Sequence, residues 1–318
     1  MRQLSDHRVV AIGECMVELR DTGAGTAQET LALAYGGDTL NTAVYLARLN
    51  PGSEVAVDYM TALGDDPYSE AMMAFWQGER LGTETVARLP GRLPGLYMIR
   101  TDAAGERRFF YWRSAAAARS LFDALLTLDL LDMLKGYQTI FLSAITLSIL
   151  TEAARDRLVA ALTAARTAGS RVVFDGNYRP AGWPDPATAR AVIGRFLGLV
   201  DLALPSIDDE RLLWGDVDAA AVADRMQKAG VAEVIVKQGP EGALVALAGN
   251  RQHVAVPDVV APIDTTGAGD SFNAGYLTAR LRGADPASAA SAGHRVAAAV
   301  IQHRGAIIPA TALPRLSF

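Results

Sequence analysis

The chain has 318 residues, of which half are hydrophobic and a fifth are charged, and its formal net charge is -5. This composition indicates a globular protein and excludes a wholly disordered chain. The acidic balance argues against a nucleic-acid or membrane-surface binder, because both need a basic field. The single cysteine, Cys15, excludes an intrachain disulfide and a two-cysteine zinc site.

The N-terminal stretch Met1–Glu18 carries charges among its apolar residues, unlike the core of a signal peptide. The longest uncharged stretch, Gly136–Thr151, contains polar residues and is shorter than a membrane span, which needs about 20 apolar residues. We therefore expect a cytoplasmic protein that has neither a membrane nor a nucleic acid as partner.

Short runs rich in β-branched residues alternate with longer runs rich in Ala and Leu. The short runs predict strands at Val9–Gly13, Val55–Leu63, Thr139–Ser143, Arg171–Asp175, Asp201–Leu204, Glu233–Lys237 and Ala243–Ala248. The long runs predict helices at Asp38–Leu49, Pro67–Arg80, Leu150–Ala168, Ala187–Leu199, Ala219–Lys228, Ala268–Leu281 and Pro286–His303. This alternation predicts an α/β fold with a mostly parallel sheet and helices on both faces.

Two β-rich segments interrupt the alternation. The first is the short predicted strand Glu29–Ala34, and the second is a pair of strands, Leu96–Thr101 and Arg107–Arg113, joined by a predicted turn at Asp102–Glu106. Neither segment has a crossover helix. We predict a small sheet that projects from the main domain as a lid or a dimer contact; the alternative is a set of edge strands of the main sheet.

The sequence Asp264-Thr265-Thr266-Gly267-Ala268-Gly269-Asp270 directly precedes and opens a predicted helix. A glycine-rich turn at a helix N-terminus exposes backbone N–H groups, and the helix dipole favours an anion there, such as a phosphate. Asp270 could accept a proton from an attacking hydroxyl. The pattern predicts phosphoryl transfer to an alcohol, and the alternative is an ordinary turn with an aspartate near the helix start.

A second glycine segment, Tyr35-Gly36-Gly37-Asp38-Thr39-Leu40-Asn41, also opens a helix. Paired glycines allow a ligand to approach the backbone closely, and Asp38 and Asn41 can bond hydroxyls. The alternative is a plain helix start capped by Asp38 or Thr39. The sequence has neither a P-loop motif nor the catalytic motifs of protein kinases.

The two glycine segments, one near each end of the chain, resemble the two signatures of the ribokinase (pfkB) family of carbohydrate kinases. Further segments resemble a subgroup that phosphorylates the sugar acid 2-keto-3-deoxygluconate at its 6-hydroxyl. They are Ile12-Gly13-Glu14-Cys15-Met16, Leu93-Pro94-Gly95-Leu96-Tyr97, Tyr111-Trp112-Arg113, Asn177-Tyr178-Arg179-Pro180, Asp208-Asp209-Glu210 and Arg304-Gly305-Ala306-Ile307-Ile308-Pro309.

The resemblance implies a three-layer ribokinase-like fold as one kinase domain over residues 1–318, with lid strands from about 15–35 and 83–113. It implies ATP as phosphoryl donor, Mg²⁺ as cofactor and a homo-oligomer formed through the lid. Asp270 would take the place of the catalytic base, and the backbone of Gly267, Ala268 and Gly269 would form the anion hole. Some relatives also bind a monovalent cation, for which the sequence assigns no residue.

The resemblance also implies a sugar pocket that includes Asp270. Its other residues are Gly36, Gly37, Asp38, Asn41, Tyr97, Tyr111, Arg113 and Arg179. Arginine suits a carboxylate because its planar guanidinium binds bidentately, but which arginine meets the substrate carboxylate stays open. Arg113 could instead be a solvated lid charge, and the two tyrosines could be packing aromatics. A sugar hydroxyl would meet Glu18 or Glu14.

The segment Lys237-Gln238-Gly239-Pro240-Glu241-Gly242 follows a predicted strand, and by itself it favours a simple hairpin turn. The resemblance instead makes it an ATP loop. The implied ATP-binding residues are Asn177, Arg179, Ser206, Lys237, Gly239, Gly242, Thr265, Gly267, Gly269, Asn273 and His294. Ser206 departs from the family's asparagine, and Asp209 or Glu210 would order Mg²⁺ through water, although an acidic helix start is also ordinary capping.

Two rival functions remain open on this evidence. One is another sugar kinase of the ribokinase family, such as a fructokinase or a ribokinase. The other is a non-catalytic sugar-acid sensor on the same fold, which would keep the pocket and could lose the base. A neutral-sugar kinase should tolerate Arg113→Ala better than a sugar-acid kinase.

Overall fold

The computed structural model describes residues 7–21, 30–52, 54–101 and 107–316. Within these ranges a nine-stranded sheet has the order β13-β12-β11-β10-β9-β8-β1-β4-β5. Its strands are β1 (His7–Ile12), β4 (Val55–Leu63), β5 (Val86–Arg88), β8 (Thr139–Ser143), β9 (Arg171–Asp175), β10 (Leu202–Ala203), β11 (Glu233–Lys237), β12 (Ala243–Leu247) and β13 (Asn250–Val254). All neighbours pair in parallel from β5 to β11, and β12 and β13 continue antiparallel.

Helices cover both faces of this sheet. One face carries α1 (Asp38–Leu49), α2 (Pro67–Gly78), α9 (Ala268–Leu281) and α10 (Pro286–Val300). The other carries α3 (Leu125–Met133), α4 (Ala144–Ile149), α5 (Glu152–Thr167), α6 (Pro186–Leu197), α7 (Ile207–Trp214) and α8 (Ala219–Lys228). Two buried apolar clusters separate the sheet from the two helix layers. The predicted mostly parallel sheet with helices on both faces is confirmed.

Side-chain caps account for several helix starts. The carboxylate of Asp66 accepts from the backbone of Tyr68 and Ser69 at the start of α2. Asp185 and Asp285 cap α6 and α10 in the same way, each ahead of a proline. These caps satisfy backbone N–H groups that have no partner within the helix. They also explain why α6 begins one residue earlier than predicted, since proline fits the first helical position.

A separate four-stranded sheet has the order β3-β2-β6-β7. Its strands are β2 (Met16–Asp21), β3 (Leu31–Gly36), β6 (Gly95–Thr101) and β7 (Arg107–Trp112). The antiparallel pairing of β6 with β7 confirms the two predicted strands, while the turn Asp102–Glu106 and Glu29 lie outside the described residues. The edge-strand alternative is wrong, because none of these four strands joins the nine-stranded sheet.

Several elements were missed or misplaced by the sequence patterns. β5 falls within the range 83–113 assigned to the lid, yet it pairs with β4, so the second part of the small sheet begins at Gly95. Polar β13 lacks the expected alternation, because it lies exposed at the sheet edge. Leucine-rich α3 has no side-chain cap and little periodicity. The helix predicted to reach His303 ends at Val300.

The parallel strands bring their carboxyl ends to one edge of the large sheet. Asp175 ends β9, Lys237 ends β11, and Glu14 lies just after β1. Ligands bind at this edge in open α/β sheets. No helix among the described residues has the length and apolarity that crossing a bilayer requires.

Candidate active site

A cavity of about 1130 Å³ lies at this edge, between the large sheet and the small one. Most of the predicted site residues line it. They are Gly37, Asp38, Asn41, Tyr97, Tyr111, Arg113, Asn177, Arg179, Ser206, Lys237, Thr265, Gly267, Ala268, Gly269 and Asp270. Residues far apart in sequence therefore share one cavity.

The other predicted residues lie around the cavity rather than in its wall. Gly36 backs the wall: a methyl group there would collide with the Tyr97 hydroxyl. Gly239 and Gly242 flank a short 3-10 turn after β11, both with positive φ, as a tight loop requires. His294 is buried on α10 against the edge of the Phe272 ring, and its Nε2 has no partner within the described structure.

The glycine turn before α9 is fixed by its own backbone and by Asp264. Gly267, the residue before the helix, has a φ of 76°, and a methyl group on it would lie 2.8 Å from the Ala306 oxygen. Asp264 accepts from Thr266 N at 2.9 Å and from Gly305 N at 2.6 Å. Only glycine fits position 267 without strain, so the turn presents a preformed helix N-terminus to the cavity.

Asp270 lies in the first turn of α9 and faces α1. Asn41 Nδ2 donates to Asp270 Oδ2 at 2.8 Å, and Thr42 Oγ1 donates to the Asp270 backbone oxygen at 3.2 Å. Burial raises the pKa of Asp270 to about 8, and the nearby charge of Asp38 contributes in the same direction. The carboxyl is thus oriented by a neutral donor and has the proton affinity of a general base.

Lys237 and Asp175 form a buried polar group beside the glycine turn. Lys237 Nζ donates to Asp175 Oδ2 at 3.2 Å and to Asn273 Oδ1 at 3.0 Å, and Asn273 Nδ2 donates to Asp175 Oδ2 at 2.6 Å. A methyl group on Gly269 would lie 3.4 Å from Lys237 Nζ. The Lys237 ammonium is therefore held at the turn where an anion would bind.

The opposite part of the cavity is rich in arginine. Arg113 pairs with the carboxylate of Glu14, whose side chain is only 1% exposed. Arg119 also lines the cavity, and Tyr111 adds an aromatic wall. Burial raises the pKa of Glu14, against the opposing effect of Arg113 and Arg119. We call Glu14, Tyr111, Arg113 and Arg119 the arginine end, and Asn41, Gly267, Ala268, Gly269 and Asp270 the glycine-turn end.

The two acidic candidates for a magnesium site have different partners. Asp209 accepts from Arg179 Nη1 at 2.9 Å, and burial raises its pKa. Glu210 is buried and accepts from Arg225 Nη2 at 2.6 Å, and burial raises its pKa to about 7. The described residues contain no cluster of three potential protein ligands. These residues fit a Mg²⁺ ion that keeps most of its waters and is held by substrate phosphates and one carboxylate. Asp209 is the better candidate for that carboxylate.

Sequence reasoning singled out neither Arg119 nor Asp175 as a site residue and named Glu14 only as an alternative, yet all three line the cavity. Arg119 follows an alanine run without any motif, and Asp175 was noted only as a strand end. Glu14 was set second to Glu18, which instead accepts from the Tyr97 hydroxyl. The signal available for Asp175 was its place at the carboxyl end of a buried parallel strand.

Comparison with known proteins gives the family to which the chain belongs. The model of the family "pfkB family carbohydrate kinase" matches residues 6–313. A 2-dehydro-3-deoxygluconokinase of Dickeya dadantii (strain 3937) is 44% identical over 315 residues, which cover 98% of this chain and 100% of that protein. One of Escherichia coli (strain K12) is 43% identical over 311 residues, covering 96% and 99%.

Solved structures share the fold. A putative ribokinase II of E. coli in complex with ATP and Mg²⁺ superposes with a TM-score of 0.80 at 23% identity, covering 94% of each chain. This likeness confirms the predicted three-layer α/β fold with a small separate sheet. The family match and the two relatives identify the chain as a member of the pfkB family of carbohydrate kinases and an ATP-dependent sugar kinase.

Proposed function

We propose that this kinase transfers the γ-phosphoryl group of ATP to the 6-hydroxyl of 2-keto-3-deoxygluconate. The observation that carries the proposal is the half-buried Asp270 carboxyl, which accepts from Asn41 at 2.8 Å and lies directly beside the glycine turn in the cavity. The substrate follows from the two relatives named 2-dehydro-3-deoxygluconokinase, which match nearly the whole chain. The products are ADP and 2-keto-3-deoxy-6-phosphogluconate.

Asp270 acts as the general base. It accepts the proton of the 6-hydroxyl while that oxygen bonds to the γ-phosphorus, and the bond from phosphorus to the β,γ-bridging oxygen breaks to release ADP. A pKa of about 8 gives the carboxylate more basicity than an exposed aspartate has. Asn41 holds the carboxylate in place, and Asp38, with Gly36 and Gly37, binds the sugar hydroxyls. Asn177 Nδ2 donates to Asp38 at 2.7 Å and fixes its orientation.

The backbone N–H groups of Gly267, Ala268 and Gly269 stabilise the charge on the transferring phosphoryl group. The positive end of the α9 dipole points at the same place. Lys237 adds a full positive charge beside Gly269. These groups are fixed before the substrate arrives, so they need little reorganisation in the transition state.

ATP occupies the part of the cavity near Lys237 and Ser206, with Gly239, Gly242, Thr265, Asn273 and His294 around the nucleotide. Arg179 and Asn177 lie where sugar and phosphate meet. Mg²⁺, when bound, would neutralise phosphate charge, and Asp209 would hold its water shell. Glu210 stays paired with Arg225. We assign no residue to a monovalent cation.

The small sheet serves as the lid of the site. Tyr97 and Tyr111 place aromatic surface and hydroxyls on its cavity side. Its other side has a second cavity of about 390 Å³ that includes Leu33, Leu93 and Trp112, all largely exposed. Exposed apolar surface of this kind favours association. We propose that two copies pair through it in the cytoplasm; a monomeric mass in light scattering would contradict this pairing.

Release of ADP from MgATP tests the substrate assignment. The panel is 2-keto-3-deoxygluconate, its galactonate epimer, gluconate, fructose, ribose and adenosine. We expect kcat/KM for a keto-deoxy acid to exceed that of every neutral sugar by about 30-fold or more, since the loss of a charged contact to the carboxylate costs about 2 kcal/mol. Best activity on fructose or ribose would favour the neutral-sugar kinase, and sugar-acid binding without turnover would favour the sensor.

A further inference from the structure

Three arginines line the cavity, and they differ in what they already bind. Arg113 is paired with Glu14, and Arg179 donates to Asp209 at 2.9 Å. The Arg119 guanidinium has no hydrogen bond and no ion pair within 4 Å to any residue that the structure describes, although its charge acts on Glu14 from a greater distance. Its five guanidinium N–H donors are therefore available to a ligand.

The backbone of Arg119 is held firmly. It lies in a short 3-10 turn, Ala117–Ser120, directly after the buried residues Ala116, Ala117 and Ala118. Arg119 N donates to the Ala116 oxygen at 3.1 Å, and Leu121 and Phe122, which follow the turn, are fully buried. The side chain is half-buried and projects from a fixed point of the core, so placing a ligand there costs little ordering of the protein.

The charges at the arginine end do not balance without a ligand. Glu14 contributes one negative charge when ionised, and Arg113 and Arg119 contribute two positive ones. Beyond these three side chains, Arg155 lies within electrostatic range of Arg119 but also of Glu152. Asp38 lies within range of Glu14 while it accepts from Asn177. One monovalent anion would bring the three side chains to neutrality. A substrate carboxylate has this charge, whereas a neutral sugar would leave Arg119 uncompensated.

We propose that Arg119 is the specificity-determining residue that receives the carboxylate of the substrate. Arg113 stays paired with Glu14 and forms the cavity wall beside Arg119. The inference rests on the proposed function and names the residue that makes it selective for an acid. Arg113 is less suited to the role, because one of its donors is already on Glu14 and its Nε is buried without a partner.

The test compares two substrates that differ only in the proposed contact. 2-Keto-3-deoxygluconate carries a carboxylate at C1, and 3-deoxyfructose carries a hydroxymethyl group there. We expect Arg119→Gln to lower kcat/KM for the acid about 30-fold, mainly through KM, because a charge-assisted hydrogen bond of about 2 kcal/mol is lost. Activity on 3-deoxyfructose should stay within about threefold. Arg119→Lys should recover part of the loss, since it keeps the charge without the planar fork.

Arg108→Gln serves as the matched control, because Arg108 lies exposed on β7 and does not line the cavity. An equal loss on both substrates, or an effect on the KM for ATP alone, would overturn the inference. So would a wild-type preference for the acid over 3-deoxyfructose that is undiminished in Arg119→Gln. A wild-type enzyme with no preference for the acid over 3-deoxyfructose would instead contradict the proposed function itself. Thermal unfolding of each variant separates loss of contact from loss of fold.

Discussion

The glycine-turn end and the arginine end of the cavity are built in different ways. The glycine-turn end comes from one continuous segment and the facing helix α1, and its key contact is the 2.8 Å bond from Asn41 to Asp270. The arginine end combines the loop after β1, strand β7, the residue after it and a 3-10 turn, and its charges depend on pairing across them. Under the proposed function, the first binds charge through backbone N–H groups, and the second through side chains.

This difference separates chemistry from selectivity. Under the proposed function, backbone donors and the Asp270 carboxylate suit any phosphoryl transfer to an alcohol, so the glycine-turn end should set kcat. The arginine end carries groups that only an acidic substrate needs, so it should set the preference between substrates. Changes at the two ends should therefore appear in different kinetic constants.

The largest effect is expected for Asp270→Asn. Removing the base should lower kcat about 10³-fold while sugar and ATP still bind, since a positioned general base contributes about 10²–10⁴-fold. Stopped assays of ADP release together with calorimetric binding would measure both. Asp285→Asn is the control, because Asp285 caps α10 and an asparagine caps a helix equally well. A kcat near that of wild type would remove Asp270 from the chemistry.

A bulky residue at Gly269 should act almost as strongly. Gly269→Val places methyl groups in the anion hole, and we expect kcat to fall about 10²- to 10³-fold with sugar binding retained. Gly269 is not at a positive φ, so the fold should survive. Gly267→Val, with a φ of 76° and the Ala306 oxygen close by, should lower the melting temperature as well. Equal destabilisation by both variants would make Gly269 a folding residue instead.

Arg113→Ala should mainly affect stability. It leaves the buried Glu14 carboxylate without its ion-pair partner, which should lower the free energy of unfolding by about 3 kcal/mol at pH 8. Burial already raises the Glu14 pKa, and losing Arg113 raises it further. An acid with a raised folded-state pKa gains stability as pH falls, so the deficit should shrink from pH 8 to pH 5. Urea unfolding at both pH values measures this, and Glu14→Gln/Arg113→Ala should recover stability; a pH-independent deficit would contradict the account.

The sequence predicted the two ends to different extents, because one is a contiguous segment and the other is assembled from distant segments. The bounds of α1, β4, β8, β9, α8, β11 and α9 agree with the patterns that predicted them. Buried strands are apolar runs, α1 and α9 each follow a glycine, and α8 follows a capping aspartate, so all of them have strong local signals. The glycine turn and Asp270 could be recognised because they are contiguous. Arg119 could not, because its importance depends on which arginines are already paired, and that is a property of tertiary contacts.

The smallest effect concerns the pH dependence of the glycine-turn end. Because the base must be ionised, kcat/KM should fall as pH drops through about 8, the pKa of Asp270. Asp38→Asn removes a charge that raises this pKa, so the midpoint should move to lower pH, while KM for the sugar rises. Asp208→Asn, at an exposed position, should leave the profile unchanged. A midpoint that moves upward in Asp38→Asn would contradict the electrostatic account.

The most direct test of the central claim is to identify the phosphorylated atom by ³¹P and ¹³C NMR after reaction with ATP and 2-keto-3-deoxygluconate. The account predicts one sugar phosphate with phosphorus coupled to C6, formed in equal amount to ADP, and almost none in the same time with Asp270→Asn. Phosphate on another oxygen, ADP without sugar phosphate, or equal product from Asp270→Asn would contradict it.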